Sequence, residues 1–193
     1  MIDPLLLDLP DTIETERLTL RTPRTGDGLH LLPALLESLA HLRQFLASLP
    51  WVAGEQTPES AERWCRNAQA NFQGRKDLPF LIFERASGQL LGACGLHRTV
   101  WETPRTEVGY WIRSSRARQG FVTEAVQGLC DYAFTQIGAV RVELVVDEEN
   151  APSRRVADLA GFRLEGIHRN ERRAPDGTLR NTCVYARFPT LQY

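Results

Sequence analysis

The stretch over residues 111–125, Trp-Ile-Arg-Ser-Ser-Arg-Ala-Arg-Gln-Gly-Phe-Val-Thr-Glu-Ala, constrains the fold more than any other. It closes an alternating strand pattern, turns through Arg113, Arg116, Arg118 and Gly120, and opens a helix. That helix is read from Val122, Val126, Leu129, Ala133 and Ile137, which recur at helical spacing until Gly138 supplies a C-terminal stop. A strand that feeds directly into a helix belongs to a layered fold in which helices pack on a sheet. The turn gathers N–H groups that no helical carbonyl can reach, at the positive end of the helix dipole. Such an end takes up phosphate. The same residues also suit an ordinary connection whose arginines are solvated, and physics alone does not separate the two.

The rest of the chain repeats the mixture of strand and helix. Residues 16–21 alternate apolar and polar side chains until Pro23 interrupts, which predicts a first strand. Residues 31–49 are rich in leucine and alanine and predict one or two helices, with Pro33 as a break or a first-turn residue. Thr57-Pro58 reads as an N-cap followed by proline at the first helical position, for a helix to about Phe72. Strands are expected over 78–84, 89–97 and 106–112, the first two joined in a hairpin by Ser87-Gly88 and the last two by a longer surface loop over 101–104. Residues 140–146 form a β-branched run suited to a central strand, and a short helix over 152–160 stops at Gly161. Two final strands near 162–168 and 182–188 are joined by Pro175-Asp176-Gly177, a turn sequence. This order predicts an α/β fold, α+β in the wider sense, with residues 1–193 as one domain.

Composition narrows the function. With 193 residues, 42% of them hydrophobic, the chain has material for one sizeable core and is cramped for two domains. Lys plus Arg number 23 against 24 Asp plus Glu, so no basic field calls for nucleic acid. The one local cluster, Arg169, Arg172 and Arg173, is interrupted by Glu171 and Asp176. The first eight residues carry Asp3 and Asp8 where a signal peptide needs cations, and no run approaches the roughly 20 apolar residues of a membrane span. A cytoplasmic protein without membrane contact is the expectation. Cys65, Cys94, Cys130 and Cys183 are scattered without ligand spacing, which predicts buried thiols and no metal. Gly92-Ala93-Cys94-Gly95 lacks dinucleotide-binding spacing, and no glycine precedes Lys-Ser or Lys-Thr, so neither NAD nor ATP is implied.

Arg118-Gln119-Gly120-Phe121-Val122-Thr123-Glu124-Ala125 resembles the pyrophosphate-binding turn of the GNAT superfamily of N-acetyltransferases, in its RimJ/RimL-like branch that acetylates ribosomal-protein N-termini. Three more stretches resemble that branch in the right order: residues 15–21 its opening strand, 107–112 its central strand, and 150–162 its second cofactor motif. The turn departs from the family pattern, with Ala117, Gly120 and Val122 at its three signature positions and Arg118 where a glycine is frequent. The resemblance implies a central mixed, mostly antiparallel sheet of six to seven strands, flanked by helices and splayed between its two central strands to admit pantetheine. It implies acetyl-CoA as cosubstrate, with Trp111, Ile112, Arg113, Arg118, Gln119, Gly120, Phe121, Val122, Thr123, Asn150 and Ser153 around it. Arg116 or Arg118 is expected to supply phosphate charge, and backbone N–H groups near Trp111 and Ile112 to meet the oxyanion.

Roles follow from the same resemblance. Glu107 is the candidate base, on the strand face it shares with Gly109 and Trp111; it equally suits an ion pair with a neighbour such as Arg105. Ser153 is the candidate to protonate the leaving sulfur and Asn150 to hold the pantetheine arm, although Asn and Ser at a helix start are also caps. Glu124 is read as a brace for the turn. Trp51, Trp64, Trp101 and Tyr110 are candidates to line an acceptor cleft with the Trp101 loop as its lid, while His97 and His168 are read as structural. At pH 7 about one α-amine in six to ten is neutral, against about one lysine in a few thousand. Such an amine asks little of a base, and the resemblance implies the N-terminal amine of a protein, such as a ribosomal protein, as the expected acceptor. A small amine such as a polyamine or antibiotic is the alternative, a non-catalytic acyl-CoA sensor the rival from another class, and a monomer or homodimer the expected assembly.

Overall fold

Among the described residues eight strands make one sheet, and all but one of their pairings are antiparallel. In this computed structural model, residues 3–47, 49–174 and 176–190 are described; Met1, Ile2, Ser48, Pro175 and 191–193 lie outside, so the expected turn at 175–177 is covered only in part. The strands are β1 (Thr12–Glu14), β2 (Leu18–Arg21), β3 (Leu78–Glu84), β4 (Leu90–Val100), β5 (Arg105–Ile112), β6 (Arg141–Asp147), β7 (Arg163–Arg173) and β8 (Leu179–Arg187). They lie in the order β1-β2-β3-β4-β5-β6-β8-β7. Eight strands replace the expected six to seven because Thr12–Glu14 pairs with β2, a three-residue edge too short to show periodicity.

The helices are α1 (Gly28–Leu46), α2 (Pro50–Ala53), α3 (Pro58–Gln73), α4 (Phe121–Tyr132) and α5 (Ala151–Leu159). α1 starts three residues before the expected position, and Pro33 lies inside it rather than breaking it. The carbonyl that Pro33 leaves unpaired belongs to Leu29, which is 75% exposed, so water can take over that bond. The Thr57 hydroxyl caps α3 and the Ser60 hydroxyl reciprocates. α4 runs on through a wider turn, Ala133–Ile137, to left-handed Gly138.

Two apolar clusters sit on the two faces of the sheet. One joins Val108, Val142 and Leu144 to Phe121, Ala125, Val126 and Leu129 of α4. The other joins Leu81, Ala93 and Trp111 to Leu31, Leu35, Ala61 and Cys65 from α1 and α3. Burying such faces at roughly 25 cal/mol per Å2 is the main term that holds helices onto a sheet. Residues 101–104 are the four-residue turn of the β4–β5 hairpin, and Trp101 packs against the α4-side cluster. Trp101 therefore does not line the cavity over which it was expected to act as a lid.

The decisive irregularity lies between β5 and β6, the one parallel pair. Arg105, Thr106 and Glu107 pair with Arg141, Val142 and Glu143, and the pairing stops there although both strands continue. The sheet is splayed beyond Glu107, as expected. Arg113 N–H donates to Leu91 O, so the antiparallel alternation turns the N–H groups of Gly109 and Trp111 toward β4 and those of Val108, Tyr110 and Ile112 into the splay. Of the two residues expected to meet an oxyanion, Ile112 therefore offers its N–H to the gap and Trp111 does not.

Candidate active site

The turn after β5 is built as an anion cradle. Gly120, at φ +82°, ends the turn in the left-handed region, and Arg118 precedes it at φ +62°. The first helical bond of α4 runs from Glu124 N–H to Gly120 O. Among the described residues, no intramolecular acceptor takes the N–H groups of residues 118–123. Six consecutive free donors at the N-terminus of a twelve-residue helix suit a pyrophosphate.

Charge around this cradle is sorted by pairing. Arg113 is tied to Glu37 at 3.1 Å, and Arg116 to Glu84. Arg118 has no acidic partner among the described residues, which leaves it, rather than Arg116, as the cation free to meet phosphate. Phe121 is buried beneath two guanidinium groups, Arg17 at 4.6 Å and Arg116 at 5.3 Å, so its backbone faces the cradle while its ring anchors the helix.

Arg17, in the turn between β1 and β2, clamps the turn after β5 in place. Its Nη1 donates to Gln119 O at 3.0 Å, and its Nε and backbone N–H both donate to the Glu124 carboxylate, at 2.6 and 2.7 Å. The Thr15 hydroxyl donates to the same carboxylate at 2.6 Å. Burial pushes Glu124 up, but the bonds from Thr15 and Arg17 prevail and hold it below the ordinary carboxylate range. Glu124 is thus a brace, as expected.

On the α4–α5 face of the splay, Tyr110 Oη and Ser153 Oγ lie 2.7 Å apart. Burial pushes the Tyr110 phenol up to about 12, against the opposing bond from Ser153, so the pair keeps both hydroxyl protons at neutral pH. Tyr110 was expected in the acceptor cleft; strand alternation carries it to the other face, beside Ser153. Asn150 caps α5, its Oδ1 accepting from Ser153 N–H at 3.1 Å, which leaves its amide N–H groups to face outward.

The opposite face holds a cavity of about 210 Å3 lined by Leu31, Leu35, Trp51, Gln56, Trp64 and Trp111 among others. Trp51 and Trp111 stack at 6.2 Å. Trp51 and Trp64 therefore meet in one cleft as expected, and Trp111, read as a cofactor residue, turns its side chain into that cleft instead. Glu107 lies on this face too, but Arg98 Nη1 donates to it at 2.5 Å. The ion pair anticipated with Arg105 is made by Arg98, which the bulge in β4 swings across with φ +53°.

Beside Glu107 stands a residue that sequence reading set aside. His97 is the cross-strand partner of Glu107, and its Nδ1 lies 3.2 Å from Asp77 Oδ1. Its ring occupies the space that side chains at Gly95 and Gly109 would need: a Cβ on either would stand 3.1–3.2 Å from ring atoms. Gly95 and Gly109 face each other across β4 and β5. His168, by contrast, is exposed and paired with Glu171 at 2.9 Å. All four cysteines are buried, and burial pushes Cys65 and Cys130 up to about 12.

Splayed parallel strands, an open left-handed turn and a hydroxyl pair at the splay are together suited to an acyl-CoA thioester. Residues 17–163 match the family described as "Acetyltransferase (GNAT) domain". The chain belongs to that family. It is 35% identical over 95 residues to the uncharacterized N-acetyltransferase p20 of Bacillus licheniformis, covering 49% of this chain and only about half, 53%, of that protein. The ribosomal-protein-serine acetyltransferase of Escherichia coli K12 is 30% identical over 123 residues, 62% of this chain and 65% of that protein. The structure of Mycobacterium smegmatis RimJ in complex with CoA-disulfide superposes with a TM-score of 0.81 at 27% identity, over 93% of this chain and 88% of that one. Among the described residues no helix is long and apolar enough to cross a membrane.

Proposed function

We propose that the chain, acting as one domain over residues 1–193, transfers acetyl from acetyl-CoA to the N-terminal α-amine of a protein; relatives named a putative ribosomal N-acetyltransferase and a ribosomal-protein-serine acetyltransferase support a ribosomal protein as that acceptor. The observation that carries this reading is the continuity of the two faces through β5. The Trp51–Trp64–Trp111 cavity opens on one side of the strand whose other side holds Tyr110 and Ser153. An apolar cleft of about 210 Å3 suits the first side chain of an extended peptide, with its amine reaching the splay. Acetyl-CoA supplies the thioester. In this chain, residues 118–123 and Arg118 hold the pyrophosphate, Ile112 N–H meets the carbonyl oxygen, and Ser153, backed by Tyr110, gives its proton to the departing sulfur.

The test is thiol release with a panel of peptides, free or blocked at the N-terminus, alongside polyamines and aminoglycosides. Turnover that requires a free peptide N-terminus is expected, with the acetyl group located there by mass spectrometry. Preference for polyamines or aminoglycosides would replace this acceptor by a small amine. Ser153→Ala and Tyr110→Phe are each expected to lower kcat by about 10–100-fold, with CoA affinity within about twofold of wild type if their role is in proton transfer.

A further inference from the structure

Nothing in the paired Glu107 explains how the attacking amine loses its proton. Its carboxylate is held by Arg98, and the register places it where the β5–β6 pairing is still closed. His97 is better stationed. Along one face of β5 the successive positions are Glu107, Gly109 and Trp111: the ion pair, the glycine beneath the imidazole, and the wall of the tryptophan cavity. Gly109 belongs to the segment of β5 that no longer pairs with β6. The ring thus lies between the acceptor cavity and the open splay, and its side chain keeps 39% of its exposure.

Two features make this a built seat. The first is the facing glycine pair. Any Cβ at Gly95 or Gly109 would crowd the ring, and a Cβ at Gly95 would also stand 3.0 Å from Leu78 O, so the floor is cut to let the imidazole lie on the backbone. The second is Asp77. A carboxylate only accepts, so the 3.2 Å contact makes Nδ1 the donor and leaves Nε2 as the unprotonated nitrogen of the neutral ring. Nε2 is among the atoms over Gly109, and no protein group among the described residues hydrogen-bonds to it. The charged groups facing the ring are Asp77 at the start of β3, Glu107 on β5, and Arg98, which Glu107 occupies.

We propose that His97 is the general base of the acetyl transfer and Asp77 its positioning residue, a role that rests on the acetyltransferase reading but on no particular acceptor. As the amine nitrogen bonds to the thioester carbonyl carbon and the C–S bond breaks, the proton shed by nitrogen passes to His97 Nε2. The thiolate takes its proton from the Ser153 hydroxyl, and exchange with water returns His97 and Ser153 to their starting states. Asp77 keeps the tautomer and stabilises the imidazolium while it lasts.

His97→Gln and Asp77→Asn test this in the full chain, each first checked for CoA affinity and melting temperature near wild type. Wild-type kcat/KM against pH is expected to rise along an acid limb. In His97→Gln that limb should reduce to the ionisation of the amine substrate alone, with a fall of about 100-fold or more, as is typical of general-base loss. Asp77→Asn should lower kcat/KM about 10-fold and alter the acid limb at unchanged CoA affinity, and imidazole should partly restore His97→Ala. Acetyl-CoA hydrolysis without an amine, measured in parallel, separates the two readings. Hydrolysis that depends on His97 with no peptide acetylation would discard the peptide acceptor and uphold the base. Peptide acetylation with an unchanged pH profile in His97→Gln would uphold the acceptor and overturn the base. If neither variant alters the acid limb of either reaction, the proposal is wrong.

Discussion

Arg118 shows how one residue carries two opposed effects. A non-glycine side chain at φ +62° costs about 1 kcal/mol or more in the backbone, yet its guanidinium is the turn's cation without an acidic partner among the described residues. Arg118→Gly should therefore leave the melting temperature of the free protein unchanged or raised, while the Kd for CoA, read by titration calorimetry, rises about three- to tenfold as a charge-assisted contact is lost. The weakening should shrink as salt increases. A Kd that stays constant at low salt would show that the six N–H groups alone hold the phosphates. The residue types at this turn were legible in the sequence, but which arginine is free was not. That depends on Glu37 and Glu84, which lie far away along the chain.

At the scale of elements, the splay works only if α4 is held at a fixed angle to β5, and the clamp comes from the turn between β1 and β2, about a hundred residues earlier. Thr15 and Arg17 bind Glu124, while Arg17 also binds Gln119 O and covers Phe121. Glu124→Gln keeps the shape but weakens charge-assisted bonds, and is expected to cost on the order of 2 kcal/mol of stability in denaturant melts. CoA affinity should fall with it, because the donors of the cradle lose their alignment. A loss of stability with unchanged CoA affinity would limit the clamp to folding. The strand and helix periods predicted both elements, and the resemblance placed Thr15 and Arg17 in the opening strand. The structure instead puts both in the turn between β1 and β2, and that this turn braces the N-terminus of α4 emerges only from the packing of β2 beside α4.

Across the whole molecule, acid stability should follow carboxylates held low in the fold. The clearest is Asp27, which burial pushes up but which the Arg21 fork, at 2.6 and 2.7 Å, and the Arg24 N–H hold below its ordinary value. A depressed folded value means that stability is fully present above the unfolded carboxylate pKa of about 4 and drains as pH falls through the lower folded value. Glu124 adds to the same slope. Melting temperatures are expected to be flat from pH 7 to about 5 and to fall below about 4, and Asp27→Asn should flatten that fall while lowering stability at pH 7. An equally steep acid limb in Asp27→Asn would assign the slope to other carboxylates. By itself the sequence determined the alternation of strands and helices, the turn after β5 with its glycine, and the family. Those signals are local, set by side-chain period, capping residues and backbone freedom. Only the tertiary structure decided that β5 and β6 part after Glu107, that Glu107 is taken by Arg98, that Tyr110 joins Ser153, and that His97 lies on two facing glycines beside Asp77. Each of these depends on the register of strands and on partners distant in the chain, and register is settled by how two sheet faces bury their apolar side chains together.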